Sequence, residues 1–198
     1  MSTLRPLGRI VRLQIQPAPL KLGEKPNRRY DPSALMVVSE LTLTREGAVA
    51  RTPEGESVLD IHHARHPHTR NNANTNPLSV GFTAHYDLMR AEYGEQLWTG
   101  CAGETIIVEN LQRIKLDDVA RGIAIVPQNG GDAVWLKSVA VAHPCLPFSG
   151  YVLGGTEASV KTTLQFLDDG MRGFYCSFEH DSPATIAVGD NVLVEVVS

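Results

Sequence analysis

Gly122-Ile-Ala-Ile-Val126 and Ala133-Val-Trp-Leu-Lys-Ser-Val-Ala-Val141, joined by Pro127-Gln-Asn-Gly-Gly-Asp132, point the chain toward β-structure. Both outer segments are rich in β-branched and apolar residues, and Asn129-Gly130 between them is a strong cue for a tight hairpin turn. The second strand runs into Ala142-His-Pro-Cys-Leu-Pro-Phe148. Pro144 and Pro147 each fix φ and remove a backbone donor, so a regular strand cannot continue through Cys145. The hairpin therefore delivers one cysteine to a stiff, non-ladder segment at a strand end, a good place for a thiol to meet a ligand. The residues alone leave a second reading open, a buried structural cysteine.

Downstream, Thr156 to Asp169 reads as a helix with Val160, Leu164 and Leu167 on one face and Gly170 as its stop. Met171 to Phe178 returns as a strand that carries Arg172-Gly173 at its start. Ser182-Pro183 and Gly189-Asp190 bracket a last hairpin, and Val192 to Val197 closes the fold. Upstream, Val11, Leu13 and Ile15 alternate with Arg12 and Gln14, which predicts a half-buried strand from Gly8 to Gln16, ended by Pro17. Gly23 to Tyr30 is a polar loop. Leu35 to Leu43 reads as one strand, followed by short strands at Ala48–Arg51 and Ser57–Ile61. Short strands spaced by turns imply an all-β sandwich or barrel rather than βαβ units. Thr83 is placed to cap a helix running to about Tyr93, stopped by Gly94. Gly100 and Gly103 punctuate a loop before a strand at Thr105–Glu109, and Asp117-Asp118 mark a turn.

At 198 residues, with 42% hydrophobic and 20% charged residues, the chain suits one folded domain rather than a disordered one. A net charge of −4 argues against general nucleic-acid binding. Cys101, Cys145 and Cys176 form no disulfide framework and no zinc ribbon. The first residues lack an apolar leader core and no apolar run reaches spanning length, so a cytoplasmic location without membrane insertion is expected.

His62 to Pro77 is the most polar stretch and holds four of the seven histidines. The spacing of His62, His63, His66 and His68 matches no standard zinc pattern. Its Arg, Asn and His donors fit an anionic ligand better than a protein-built metal centre.

Four segments then occur in a familiar order. Gly100-Cys-Ala-Gly-Glu-Thr-Ile-Ile-Val108, Pro144-Cys145, Gly170-Met-Arg-Gly-Phe-Tyr175 and Gly189-Asp190 resemble successive motifs of the MOSC domain, the module named from the C-terminal part of molybdenum cofactor sulfurases. Leu78 to Gly94 adds to the likeness. The resemblance implies a mainly β fold, a MOSC-type barrel with a few peripheral helices. It implies a single domain over residues 1–198, with a core over about 34–198 and residues 1–33 packing on the barrel as a strand and loop.

It also implies molybdenum cofactor (molybdopterin) as the ligand, with Cys145 carrying a persulfide or ligating the metal. Arg70, Gly103, Glu104, Thr105 and Arg172 stand where family members place residues around the pocket, with His68 and Asn76 as looser candidates. Thr105 replaces the family's usual Asn. Molybdenum-ion and pyridoxal-phosphate binding, persulfide carriage and catalytic activity come with the family. This chain shows no pyridoxal-phosphate domain and no ferredoxin-type cysteine cluster. A separate sulfur donor or electron-transfer protein is therefore expected, with a molybdoenzyme as a possible acceptor. The activity implied is sulfur transfer or reduction of N-hydroxylated compounds; the alternative is a non-catalytic barrel binding another anionic ligand or a protein partner.

Overall fold

A computed structural model describes residues 2–69, 71, 73, 75–154 and 158–197, without the side chains of Ser2 and Val197. In chain order its first strands are β1 (Ser2–Ile15), β2 (Lys21–Leu22), β3 (Arg29–Tyr30), β4 (Met36–Val38), β5 (Glu40–Thr44), β6 (Gly47–Arg51), β7 (Ser57–Leu59) and β8 (Leu78–Phe82). Helix α1 (Thr83–Tyr93) leads through a loop to β9 (Ile106–Glu109), and α2 (Leu116–Val119) to the hairpin β10 (Ile123–Val126) and β11 (Val134–Val141). Helices α3 (Leu146–Leu153) and α4 (Val160–Leu167) precede β12 (Phe174–Phe178), β13 (Ala184–Ala187) and β14 (Asn191–Val197).

Seven strands close a ring in the order β14-β10-β11-β12-β8-β9-β1, with β1 pairing back to β14 and β4 added outside β1. All pairings are antiparallel except β8 with β9, whose parallel alignment uses α1 as its crossover. Closure removes the unpaired edges that an open sheet of this size would expose. Side chains such as Ile10, Leu13, Val80, Phe82, Ile106, Leu136, Phe174 and Val194 fill the interior. A second sheet, β13-β5-β6-β7, buries Leu41, Leu43, Ala48, Ala50 and Ile186 in the same core.

Several expectations change here. Residues 1–33 do not simply pack on a finished barrel: β1 is one of its staves and pairs with β14, β9 and β4. The strand expected over Leu35 to Leu43 divides at Ser39, one part joining β1 and the other β13 and β6. The terminal hairpin is not one either, because β13 pairs with β5 while β14 pairs with β10 and β1. Thr83 is the first residue of α1 rather than its cap, and its hydroxyl instead bonds the backbone of Asn110 at 3.0 Å.

Helices α1, α3 and α4 enclose a second apolar cluster. Tyr86, Met89 and Tyr93 of α1 meet Phe148 and Val152 of α3, Leu167 of α4, and Leu20, Tyr30, Cys101 and Met171. The Tyr30 ring packs edge-on to Phe148 at 5.0 Å between centroids, an arrangement that suits the ring quadrupoles. The site described next lies where this cluster meets the barrel.

Candidate functional site

The loop of residues 100–105 is held from beneath by β1. Buried Gln14 donates through Nε2 to the carbonyls of Gly100 at 2.7 Å and Glu104 at 2.9 Å. Gln16 Nε2 donates to the Gly103 carbonyl at 2.7 Å, and the Tyr30 hydroxyl to that of Cys101 at 2.9 Å. Two buried glutamines would be costly without such partners. Here they fix a loop that offers no ladder of its own. Gly103 has φ of +91°, and a Cβ there would stand 2.7 Å from Gln16 Nε2, so both conformation and space call for glycine.

This platform places Glu104 at the bottom of a cleft. Its carboxylate is buried and accepts a 2.5 Å hydrogen bond from the Tyr86 hydroxyl, which in turn accepts from the Ala102 amide at 3.2 Å. Burial raises the Glu104 pKa above the ordinary carboxylate value; the Tyr86 bond and the charge of Arg172 oppose that rise. Gly81 and Gly173 make room for it: a Cβ on Gly81 would meet Glu104 Oε1 at 2.8 Å.

Arg172 forms one wall. It donates to the carbonyls of His143 at 3.1 Å and Ala102 at 3.3 Å, and its guanidinium lies 5.3 Å from the Phe148 ring centroid. Its Nε is buried and has no hydrogen-bond partner. Burial works against its charge, but the acidic groups Tyr175, Tyr30, Cys145 and Glu104 outweigh that effect and raise its pKa. An unpartnered N–H of this kind is costly and marks a place for a ligand or water.

Above it opens a cavity of about 320 Å³ lined by Gln16, Leu20, Lys21, Tyr30, His62, His68, Arg172 and Tyr175, among others. A narrow extension of about 20 Å³ leads down past Ser79, Gly103 and Ala142 to Glu104. The volume lies in the range of small-molecule sites. The lining combines aromatic faces with cationic and imidazole donors, so it suits an anion that carries an apolar or planar body.

His62 reaches this cavity from the polar loop. Its Nδ1 lies 2.9 Å from Asp60 Oδ1, which also accepts the His62 amide at 2.8 Å, while Asp60 Oδ2 accepts the Gln16 amide at 2.8 Å. From the sequence, His62 is expected only as one of the loop's anion donors, and its anchoring Asp60 is not included. The signal was present in Asp60-Ile-His62, where an Asp past the end of β7 accepts the amide two residues on and so turns the imidazole back to its carboxylate. The other loop histidines brace the turn: His66 Nε2 meets the Pro17 carbonyl at 3.2 Å, and His63 is buried against Glu46 and Arg65. Among the described residues no cluster of three or more His, Cys, Asp or Glu is arranged to hold a metal ion.

The expected site residues divide accordingly. Arg172 and His68 line the main cavity, and Gly103, Glu104 and Arg172 its extension. Thr105 is buried below them, its amide bonded to Ser79 Oγ at 3.1 Å. Asn76 sits apart, its amide bonded to Asn71 Oδ1 at 3.1 Å. Arg70 lies outside the described residues. Cys145 is half-buried at the N-cap of α3 and close enough to Arg172 and Tyr30 to affect their charge, but it is not among the residues lining the cavity. The neighbouring His143 turns its ring out to Asp168, 3.1 Å away. Cys101 and Cys176 are fully buried, which raises both thiols and brings Cys176 to about 12.

Solved structures of the same shape exist. The crystal structure of the YuaD protein from Bacillus subtilis matches with a TM-score of 0.60 at 13% identity over 100% of both chains. YiiM from Escherichia coli gives 0.52 at 15% identity, covering 96% of this chain and 71% of that one. YiiM from Geobacillus stearothermophilus gives 0.50 at 14% identity, covering 98% and 76%. No family model matches the chain, and no curated protein matches it significantly in sequence. Likeness at such identity is one of fold, and the fold shared with YuaD and YiiM is a mainly β, closed, seven-strand mixed barrel with few helices.

Proposed function

We propose that this chain is a MOSC-type protein that binds molybdenum cofactor in the cavity bounded by β1, the loop of residues 100–105 and the start of β12. Cys145 is the sulfur that carries a persulfide or ligates the metal. The observation that carries the reading is Arg172, a guanidinium with a buried, unpartnered Nε in the wall of an aromatic cavity and within electrostatic reach of Cys145.

The donor set suits the group. Arg172 and Lys21 on the cavity wall would hold a phosphate, and the aromatic residues Tyr30 and Tyr175 would hold a pterin. Cys145, half-buried at the N-terminus of α3, is the one thiol with access to solvent. When bound, the cofactor supplies the metal and the sulfur and redox chemistry. The chain's own part is to bind, orient and exclude water. Its reaction is sulfur transfer or reduction of N-hydroxylated compounds. Sulfur or electrons come from a separate protein.

A second reading keeps the cavity and removes the thiol from it: a barrel that binds another anionic ligand. The position of Cys145 outside the cavity lining favours it. Pterin retention separates the two. Purified from a cofactor-producing host, the protein is expected to release a fluorescent oxidised pterin, and Arg172→Ala to release at least tenfold less. A protein without pterin would sink the first reading.

A further inference from the structure

The reading above gives no task to Asp60 and His62. Asp60 is 1% exposed, and both carboxylate oxygens are committed as acceptors. A carboxylate only accepts, so His62 Nδ1 carries the hydrogen of their 2.9 Å bond. The ring borders both the main cavity and its extension, and its centroid lies 6.2 Å from that of Tyr175. Nε2 is the ring nitrogen left for whatever enters. Arg172, whose buried Nε has no hydrogen-bond partner, lines the same cavity and extension. The remaining titratable groups around His62 are Lys21, His68, Tyr30 and Tyr175 on the walls and Glu104 at the floor.

We infer that the cavity binds an oxyanion between Arg172 and His62, and that His62 takes up a proton at Nε2 as the anion enters. A neutral His62 with hydrogen on Nδ1 offers a lone pair at Nε2, which an oxyanion repels. Protonation turns that nitrogen into a donor, and the buried Asp60 stabilises the imidazolium that forms. Asp60 is a positioning residue: it sets the tautomer and aims the ring. The proton comes from solvent, no bond to the ligand is made or broken, and the charge balances one anion. The same imidazolium is then a proton source for a bound substrate. The inference rests on the proposed cavity as the ligand site, but not on the ligand containing molybdenum.

Inorganic sulfate is the probe, because it does not itself titrate near neutrality. Calorimetric titration of the full chain in two buffers of different ionisation heat measures protons taken up per sulfate bound, and 15N spectra report Arg172 Nε–H and the His62 ring. Saturable binding that moves the Arg172 resonance, takes up protons and protonates His62 Nε2 is expected. His62→Gln is expected to bind sulfate about tenfold more weakly, without proton uptake. Asp60→Asn is expected to lower the uptake and the Nδ1–H tautomer population; His62→Gln carries the test even where Asp60→Asn fails to fold. Sulfate that moves Arg172 without proton uptake, or uptake that persists in His62→Gln, overturns the inference and leaves the cavity reading standing. No saturable binding, with Arg172 unmoved, overturns both.

Discussion

Glu104 is a carboxylate that the fold holds out of water and beneath a tyrosine hydroxyl. Its raised pKa has a sign for stability: the unfolded chain releases this proton near 4.5 and the folded chain only at higher pH. Stability linked to Glu104 is thus unimpaired below the unfolded value and declines as pH rises through the interval. Glu104→Gln, which still accepts from Tyr86, should raise the denaturation midpoint at pH 7 and lose that advantage by pH 4. A gain that does not depend on pH would contradict this account. The thiols make a second test at the same scale. Cys145 is half-buried while Cys101 and Cys176 are enclosed. Mild iodoacetamide should label Cys145 alone in the native protein, with the other two labelled only in denaturant, as read by peptide mass spectrometry.

Among the elements, close approaches of backbone carry the site. Gly173 has φ of +96°, and a Cβ there would stand 2.5 Å from the Val80 carbonyl oxygen of β8. Gly173→Ala should cost about 2–4 kcal/mol in urea denaturation, since conformation and space both oppose it. An unchanged midpoint would show that β8 and β12 do not meet so tightly. Periodicity made β1 and α1 legible, because each repeats at its own period, and the apolar, β-branched runs around Asn129-Gly130 made β10 and β11 legible. It hid the division at Ser39, because Leu35 to Leu43 is rich in apolar and β-branched residues on both sides of Ser39-Glu40 although its halves serve different sheets. It also left α3 unread: Pro147 near its start and Gly154 at its end, with φ of +51°, were the signals, but Pro144 and Pro147 drew attention as strand breakers.

For the whole molecule, the barrel is what assembles residues that are remote in sequence. Gln16, His62, Glu104 and Arg172 come from four separate parts of the chain, and their meeting follows from how the ring and the second sheet pack rather than from any local pattern. Hence Gly103, Glu104 and Arg172 were accessible through motif order, whereas His62 with Asp60 was not. The same packing buries His85, whose Nε2 accepts the Ile114 amide at 3.0 Å. Burial holds it near 4, below its ordinary 6.5, so the unfolded chain takes up a proton first as pH falls. Stability should therefore be full above 6.5 and fall between 6.5 and 4, by roughly 2–3 kcal/mol from this residue. His85→Gln should flatten that part of the profile in denaturation measured across the same pH range.

The central claim, that Cys145 holds or hands sulfur to a molybdenum cofactor in this cavity, is tested most directly by metal content. Protein purified from a cofactor-producing host should carry molybdenum approaching one atom per chain by mass spectrometry. Cys145→Ser, folded by circular dichroism, should lose most of it. A wild-type protein free of molybdenum, or a Cys145→Ser protein that keeps its full share, would contradict the account.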